Sequence, residues 1–167
     1  MGIKKKIKNF LNISSKKKNL IAENLEEATW ENTNPFVPKV TYGRVIKCYD
    51  VDTCTLVSKP YESHPPYRFT LRLAEIDGPE IRSKNEIEKE AAQIAKGRLS
   101  EKILNMYVHV TDVGIDKYGR LLCKIWLGEL CINEWLLEQK LVVPYDGGKK
   151  KSPENWLEYM GLLEFDE

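Results

Sequence analysis

The chain has 167 residues, 42% of them hydrophobic, and 26 basic side chains against 25 acidic ones, which is one domain's worth of chain with enough apolar content for a real core. No apolar run reaches signal-peptide or bilayer-spanning length, and Cys48, Cys54, Cys123 and Cys131 lack Cys-x-x-Cys spacing; a secreted, membrane-spanning or zinc-ribbon protein is therefore not expected, and a soluble intracellular one with buried thiols is. The near-neutral total hides an asymmetry, since residues 1–20 hold seven lysines and no acid, leaving 19 basic and 25 acidic groups in the other 147.

In the basic arm, Ile3, Ile7, Phe10 and Leu11 fall at helical spacing among lysines. Such a segment suits an anionic membrane surface or a nucleic-acid backbone, or a solvated, partly disordered tail. Gly2 invites myristoylation, but Lys6 stands where that motif needs Ser or Thr. A helical turn is expected within Leu20–Ala28, and Asn32-Thr33-Asn34-Pro35 reads as linker. The expected division is an arm and linker over 1–36 and a compact domain over 37–167 that includes a C-terminal helix.

Val40–Tyr49 and Thr53–Ser58 read as strands flanking the turn at Asp50-Val51-Asp52, and Tyr67–Ile76 as a third strand with Phe69, Leu71 and Leu73 on one face and Thr70 and Arg72 on the other. That strand runs into Asp77-Gly78-Pro79-Glu80, which sets a fixed cation beside two anions. Ionised groups that leave water must be paired or bind something. Beyond Glu80, Ser83 and Asn85 are capping candidates for a helix with a stripe at Ile87, Ala91, Ala95, Leu99 and Ile103, and with Ile94 beside it. Met106–Val113 and Leu121–Leu127 form two more strands around Gly114–Arg120, with His109 expected on the exposed face. A short helix over Ile132–Gln139, a loop at Pro144–Gly148, and a final helix complete the chain. In that last helix Ser152 is expected as N-cap and Pro153 at the first position, followed by Trp156, Leu157, Met160 and Leu163. Five strands and three helices make an α+β chain, and a barrel is a natural way to cover its sheet edges.

Three patches carry the functional signal: Asp50-Val51-Asp52-Thr53; Arg72 with Asp77-Gly78-Pro79-Glu80; and Asp116-Lys117-Tyr118-Gly119-Arg120. In this order, with a helix between the last two, they resemble the staphylococcal-nuclease-like (thermonuclease) family over roughly residues 40–145. The resemblance implies a five-stranded OB-fold-type (oligonucleotide-binding) β-barrel with three helices that hydrolyses phosphodiesters of DNA and RNA with calcium (Ca2+), leaving a 3′-phosphate with little base specificity. It implies Asp52, Asp77 and the Gly78 carbonyl as metal ligands, Glu80 as the group acting on water, Arg72 and Arg120 as a phosphate clamp, and Lys117, Tyr118 and Tyr145 as substrate contacts. The chemistry suits these residue types: two carboxylates and a carbonyl form a hard oxygen site, guanidinium forks match phosphate oxygens, and Glu80 is the remaining base where no histidine is near.

Val51 stands where the family pattern has glycine, so a positive φ there would displace Asp52. Gly78 stands where a side chain is common, which matters less because only its carbonyl is asked to work. The expected protein is a monomeric nuclease acting on DNA and/or RNA, with membrane contact through the arm as a further reading. The alternative is a non-catalytic barrel of the same fold that binds nucleic acid or protein.

Overall fold

The computed structural model describes residues 25–163. The basic arm's helical stripe, Gly2 and most of the Leu20–Ala28 turn lie outside those residues. The chain divides into two units, 1–36 and 37–167. In the described part of the first, Leu25 and Glu26 are helical and the Thr29 N–H donates to Asn32 Oδ1 at 2.7 Å in the turn that follows.

The second unit is a closed barrel. Strands β1 (Tyr42–Cys48), β2 (Thr53–Ser58) and β3 (Tyr67–Leu73) form an antiparallel meander, and β5 (Tyr107–Ile115) and β6 (Leu121–Leu127) form a second hairpin. β1 pairs antiparallel with β5, and β3 closes the circle by pairing in parallel with β6. Closure leaves no central edge exposed. The shorter strands β4 (Ile76–Asp77) and β8 (Val143–Pro144) pair with each other, and β7 (Leu130–Cys131) extends β6.

The period-two pattern read from the sequence points inward: Val45, Leu56, Leu71, Leu73, Val108, Val110 and Ile125 are buried. Helix α1 (Glu86–Ile103) covers this core with Ala95, Leu99 and Ile103, and α2 (Ile132–Glu138) adds Ile132 and Leu136. A smaller cluster joins Ala91 of α1 to Val143, Trp156 and Leu157. The four cysteines are buried free thiols, and burial pushes Cys123 up to about 12, which leaves it inert at neutral pH. Among the described residues no helix is long and apolar enough to cross a membrane.

Three sequence expectations need correction. The strand expected over Tyr67–Ile76 breaks after Leu73, because Glu75 takes a left-handed conformation (φ 64°) and turns the chain into β4. Ile87, expected as the first residue of the buried stripe of α1, is 42% exposed, as the first turn of the helix has no buried residue. The last helix, α3 (Trp156–Tyr159), starts at neither Ser152 nor Pro153. Asn155 caps it instead, its Oδ1 accepting from Leu157 and Glu158 N–H at 3.0 and 3.3 Å, and the helix ends before the half-exposed Leu163.

Candidate active site

Seven of the nine residues singled out above line one groove of about 760 Å³: Arg72, Asp77, Glu80, Lys117, Tyr118, Arg120 and Tyr145. Asp52 and Gly78 lie beneath it, each bonded to a lining side chain, Arg72 and Lys150 respectively. The groove is built where the β1–β2 turn, the end of β3, β4, the β5–β6 hairpin and the chain after β8 meet.

At its floor, Arg72 bridges the two aspartates. Nη1 lies 3.1 Å from Asp52 Oδ2 and donates to the Leu73 and Ile76 carbonyls, while Nη2 donates to Asp77 Oδ1 at 2.8 Å. All three side chains are close to nine-tenths buried. Burial pushes the Asp52 carboxyl up, with the Arg72 charge and the Thr53 hydroxyl opposing it. The turn of β3 into β4 that delivers Asp77 is held from behind by Asn133 on α2. This side chain, 2% exposed, donates to Ala74 O at 2.9 Å and accepts from Ile125 N–H at 3.1 Å.

Val51 and Gly78 meet in one tightly packed contact. Val51 is not among the residues with positive φ, so the β1–β2 turn accommodates it without strain. It is fully buried, and its Cγ1 lies where a side chain at position 78 would go: a Cβ built on Gly78 would meet it at 2.0 Å. The buried valine thus fills the space that a side chain at position 78 would need.

Glu80 is half exposed at the rim. Its backbone N–H donates to Glu88 Oε1 at 3.1 Å, and Glu88 Oε2 accepts from the Ser83 hydroxyl at 2.6 Å, so the first turn of α1 fixes the loop that carries Glu80. Two further neighbours were given no role from the sequence. Lys150 places its ammonium on Gly78 O at 2.5 Å, Asp77 Oδ2 at 3.1 Å and Glu80 Oε1 at 3.5 Å. It sits in a lysine run, which as sequence looks like solvated loop. Asp50 is pushed up from 3.8 to about 6 by burial and by the negative charge of Asp52 and Glu80.

A carboxyl raised in the native state stabilises the fold below its unfolded pKa, and that contribution is lost as pH rises through about 6. Asp50→Asn should therefore stabilise the metal-free protein at pH 8, on the order of 1–2 kcal/mol after solvent screening. Near pH 3.5 the change should vanish. Urea melts in chelator at the two pH values would show it, and equal shifts at both would contradict the charge argument.

Across the groove, the β5–β6 turn is wrapped around Asp116. Its Oδ1 accepts from the Tyr118 and Arg120 N–H groups at 2.8 and 2.9 Å, and its Oδ2 accepts from Arg120 Nε at 2.6 Å. Burial pushes the Asp116 carboxyl up, but these donors outweigh it and hold it below its usual value. Gly119 (φ 81°) supplies the left-handed position that closes the turn. Arg120 is thus held by its Nε edge, with its guanidinium carbon 5.4 Å from the exposed Tyr118 ring and the Lys117 ammonium 5.1 Å from the same ring. The Tyr145 hydroxyl donates to Gly148 O at 3.1 Å, which commits it to its own loop.

Among the described residues no three His, Cys, Asp or Glu side chains converge as a metal cluster. The donor chemistry nevertheless fits a hard divalent cation. Asp77 Oδ2 and the Gly78 carbonyl already share one cation, the Lys150 ammonium. Among the described residues, four carboxylates (Asp50, Asp52, Asp77, Glu80) gather there around the Arg72 and Lys150 side chains, and Asp50 is pushed up first by burial and then by the charge of Asp52 and Glu80.

A closed five-stranded mixed barrel with three helices is an OB-fold-type α+β architecture, and here it carries an acidic, arginine-flanked groove. A family model described as staphylococcal nuclease homologue matches residues 70–158, and the chain belongs to that family. The matched span includes Arg72, Asp77, Glu80 and Arg120; Asp52 lies before it and is joined to it by the Arg72 ion pair. A comparison with curated proteins gave no match.

Proposed function

We propose that residues 37–167 form a calcium-dependent nuclease that hydrolyses phosphodiester bonds of DNA and/or RNA with low sequence specificity. The observation that carries this reading is the shared groove, in which two arginines, the buried Asp77 and a rim glutamate from distant parts of the chain line one space, with the buried Asp52 held beneath it by Arg72.

Arg72 has five N–H donors. Nη1 spends both of its hydrogens on carbonyls and Nη2 one on Asp77, which among the described residues leaves Nε–H and one Nη2–H for an anion. Arg120 keeps its terminal nitrogens, since Asp116 takes Nε. A diester phosphate seated between the two would gain charge-assisted hydrogen bonds that strengthen as charge builds on its oxygens during in-line attack. Of the carboxylates Asp50, Asp52, Asp77 and Glu80, Glu80 is the most exposed and so the best placed to accept a proton from water, and its loop is fixed through Glu88. Calcium, when bound, would be held by Asp52, Asp77 and the Gly78 carbonyl and would supply Lewis-acid charge. Tyr118 and Lys117 on the far wall offer a ring and a cation to the flanking nucleotide.

The test is digestion of an end-labelled single strand with calcium, with a chelator, and by Glu80→Gln with calcium. Cleavage should occur in the first case only, the variant losing at least about 100-fold in rate. Binding without cleavage in all three would leave the non-catalytic barrel as the function.

A further inference from the structure

Lys150 lines the groove but belongs to neither the arginine clamp nor the carboxylates. Its ammonium is held by Asp77 Oδ2 and by the Gly78 carbonyl, with Glu80 Oε1 at the edge. The first two of these oxygens are proposed above as metal ligands, and the third belongs to the proposed base. A point-charge ammonium with three rotatable donors is the protein group that best imitates a small cation.

The placement is built into the fold rather than being an incidental surface contact. Pairing of Ile76 with Pro144 and of Asp77 with Val143 sets the strand before the loop directly beside Asp77. The Tyr145 N–H donates to Glu75 O at 2.9 Å, and the Tyr145 hydroxyl and the Asp146 carboxylate brace Gly148, which shapes the turn leading to Lys150. On the other side Asn155 caps α3, and the buried Trp156 ring lies 6.0 Å from the Lys150 ammonium. The Lys150 side chain is three-quarters buried, whereas Lys149 and Lys151 on either side are exposed.

The geometry points to Lys150 as a resident cation that competes with the divalent metal for Asp77 and Gly78, so that the metal enters only as Lys150 leaves. This rests on the calcium reading of the preceding section and adds a control to it. A ligand that can bind only the open form has its apparent affinity reduced by the fraction of protein that is open. Lys150 therefore sets the calcium threshold of the site, and it frees Glu80 of its counter-ion at the same moment. Once released, it joins Lys149 and Lys151 at the groove's edge, three cations on one loop that suit the backbone of an anionic polymer.

Calcium titration by isothermal calorimetry of the full chain, with Lys150→Ala, Lys149→Ala and Lys151→Ala alongside, tests this without reference to cleavage. Lys150→Ala should bind calcium roughly tenfold more tightly, while the two neighbouring variants, which lose the same charge from the same loop, should stay within about twofold of the parent. Lys150→Met, which keeps the apolar stem, should match Lys150→Ala and covers the case in which the alanine variant folds poorly. A second readout is Trp156 emission: calcium should shift it in the parent, where an ammonium leaves the ring, and not in Lys150→Met. Equal calcium affinity in the parent and both Lys150 variants would overturn the competition and leave the nuclease reading standing. Equal tightening in all the lysine variants would also overturn it, because bulk charge would then be the cause. Absence of calcium binding in every protein would remove both this inference and the calcium reading.

Discussion

Arg72→Met should cost the fold about 3–5 kcal/mol at pH 7, the range for removing one partner of a buried ion pair, and should abolish cleavage along with it. The size follows from what the side chain holds. One guanidinium neutralises Asp52 and Asp77, both about nine-tenths buried, and ties the end of β3 to β4 through two carbonyls. Without it two carboxylates face each other with Lys150 as the remaining cation on Asp77. The penalty should shrink as pH is lowered, because protonating Asp52, whose carboxyl burial already pushes up, removes the uncompensated charge. Urea denaturation at pH 7 and pH 4.5 measures both quantities. A loss under about 1 kcal/mol at pH 7 would mean that the ion pairs are screened, and that Arg72 is free to serve substrate alone.

Gly78→Ala should be nearly as damaging for a steric reason. The new Cβ would lie 2.0 Å from Val51 Cγ1, and Val51 has no exposed surface through which to retreat. Overpacking of this kind costs about 1–3 kcal/mol, and here the strain falls on the segment between Asp77 and Glu80. Removing the valine's methyls should relieve it, because the nearest remaining atom of residue 51, its Cβ, lies 3.5 Å away, an ordinary contact distance. Val51→Ala alone leaves a cavity and should also destabilise. The double variant should therefore be more stable than the sum of the two singles by at least about 1 kcal/mol, a coupling typical of residues in contact. Additive losses in the double-mutant cycle would refute the exchange of volume between the two positions.

The barrel was legible because its strands alternate cleanly. Thr53–Ser58 and Leu121–Leu127 stand where the apolar period places them, and α1 carries an Asn cap and a buried alanine–leucine stripe. The break at Glu75 was not, since glutamate carries no preference for a left-handed turn; the reversal is imposed by Asn133 bonding to Ala74 O and by Tyr145 bonding to Glu75 O. The third and fourth strands therefore read as one. Ser152-Pro153 looked like a better helix start than Asn155, yet local capping signals compete, and burial of Trp156 and Leu157 decides between them. In the site, the motif residues were visible because carboxylates and arginines cluster within each short patch. Lys150 was not, because it meets Gly78 from 72 positions away and a lysine run next to glycines reads as solvent-facing loop. Asp50 was visible as part of a turn but not as a carboxyl pushed up, because the main cause is its burial, which the turn signal does not carry.

The parallel register that joins Leu71 to Leu121 and Leu73 to Cys123 links residues 50 apart in sequence, whereas the meander that precedes it can zip from neighbour to neighbour. Loop-closure entropy makes such a union the costly step of assembly. The wall bearing Asp52, Arg72 and Asp77 lies on one side of that seam and the Arg120 turn on the other. A polypeptide that ends before Leu121 thus presents β3 as a bare strand edge and holds only half of the groove. The two walls that the proposed phosphate clamp needs come together only when the ring shuts.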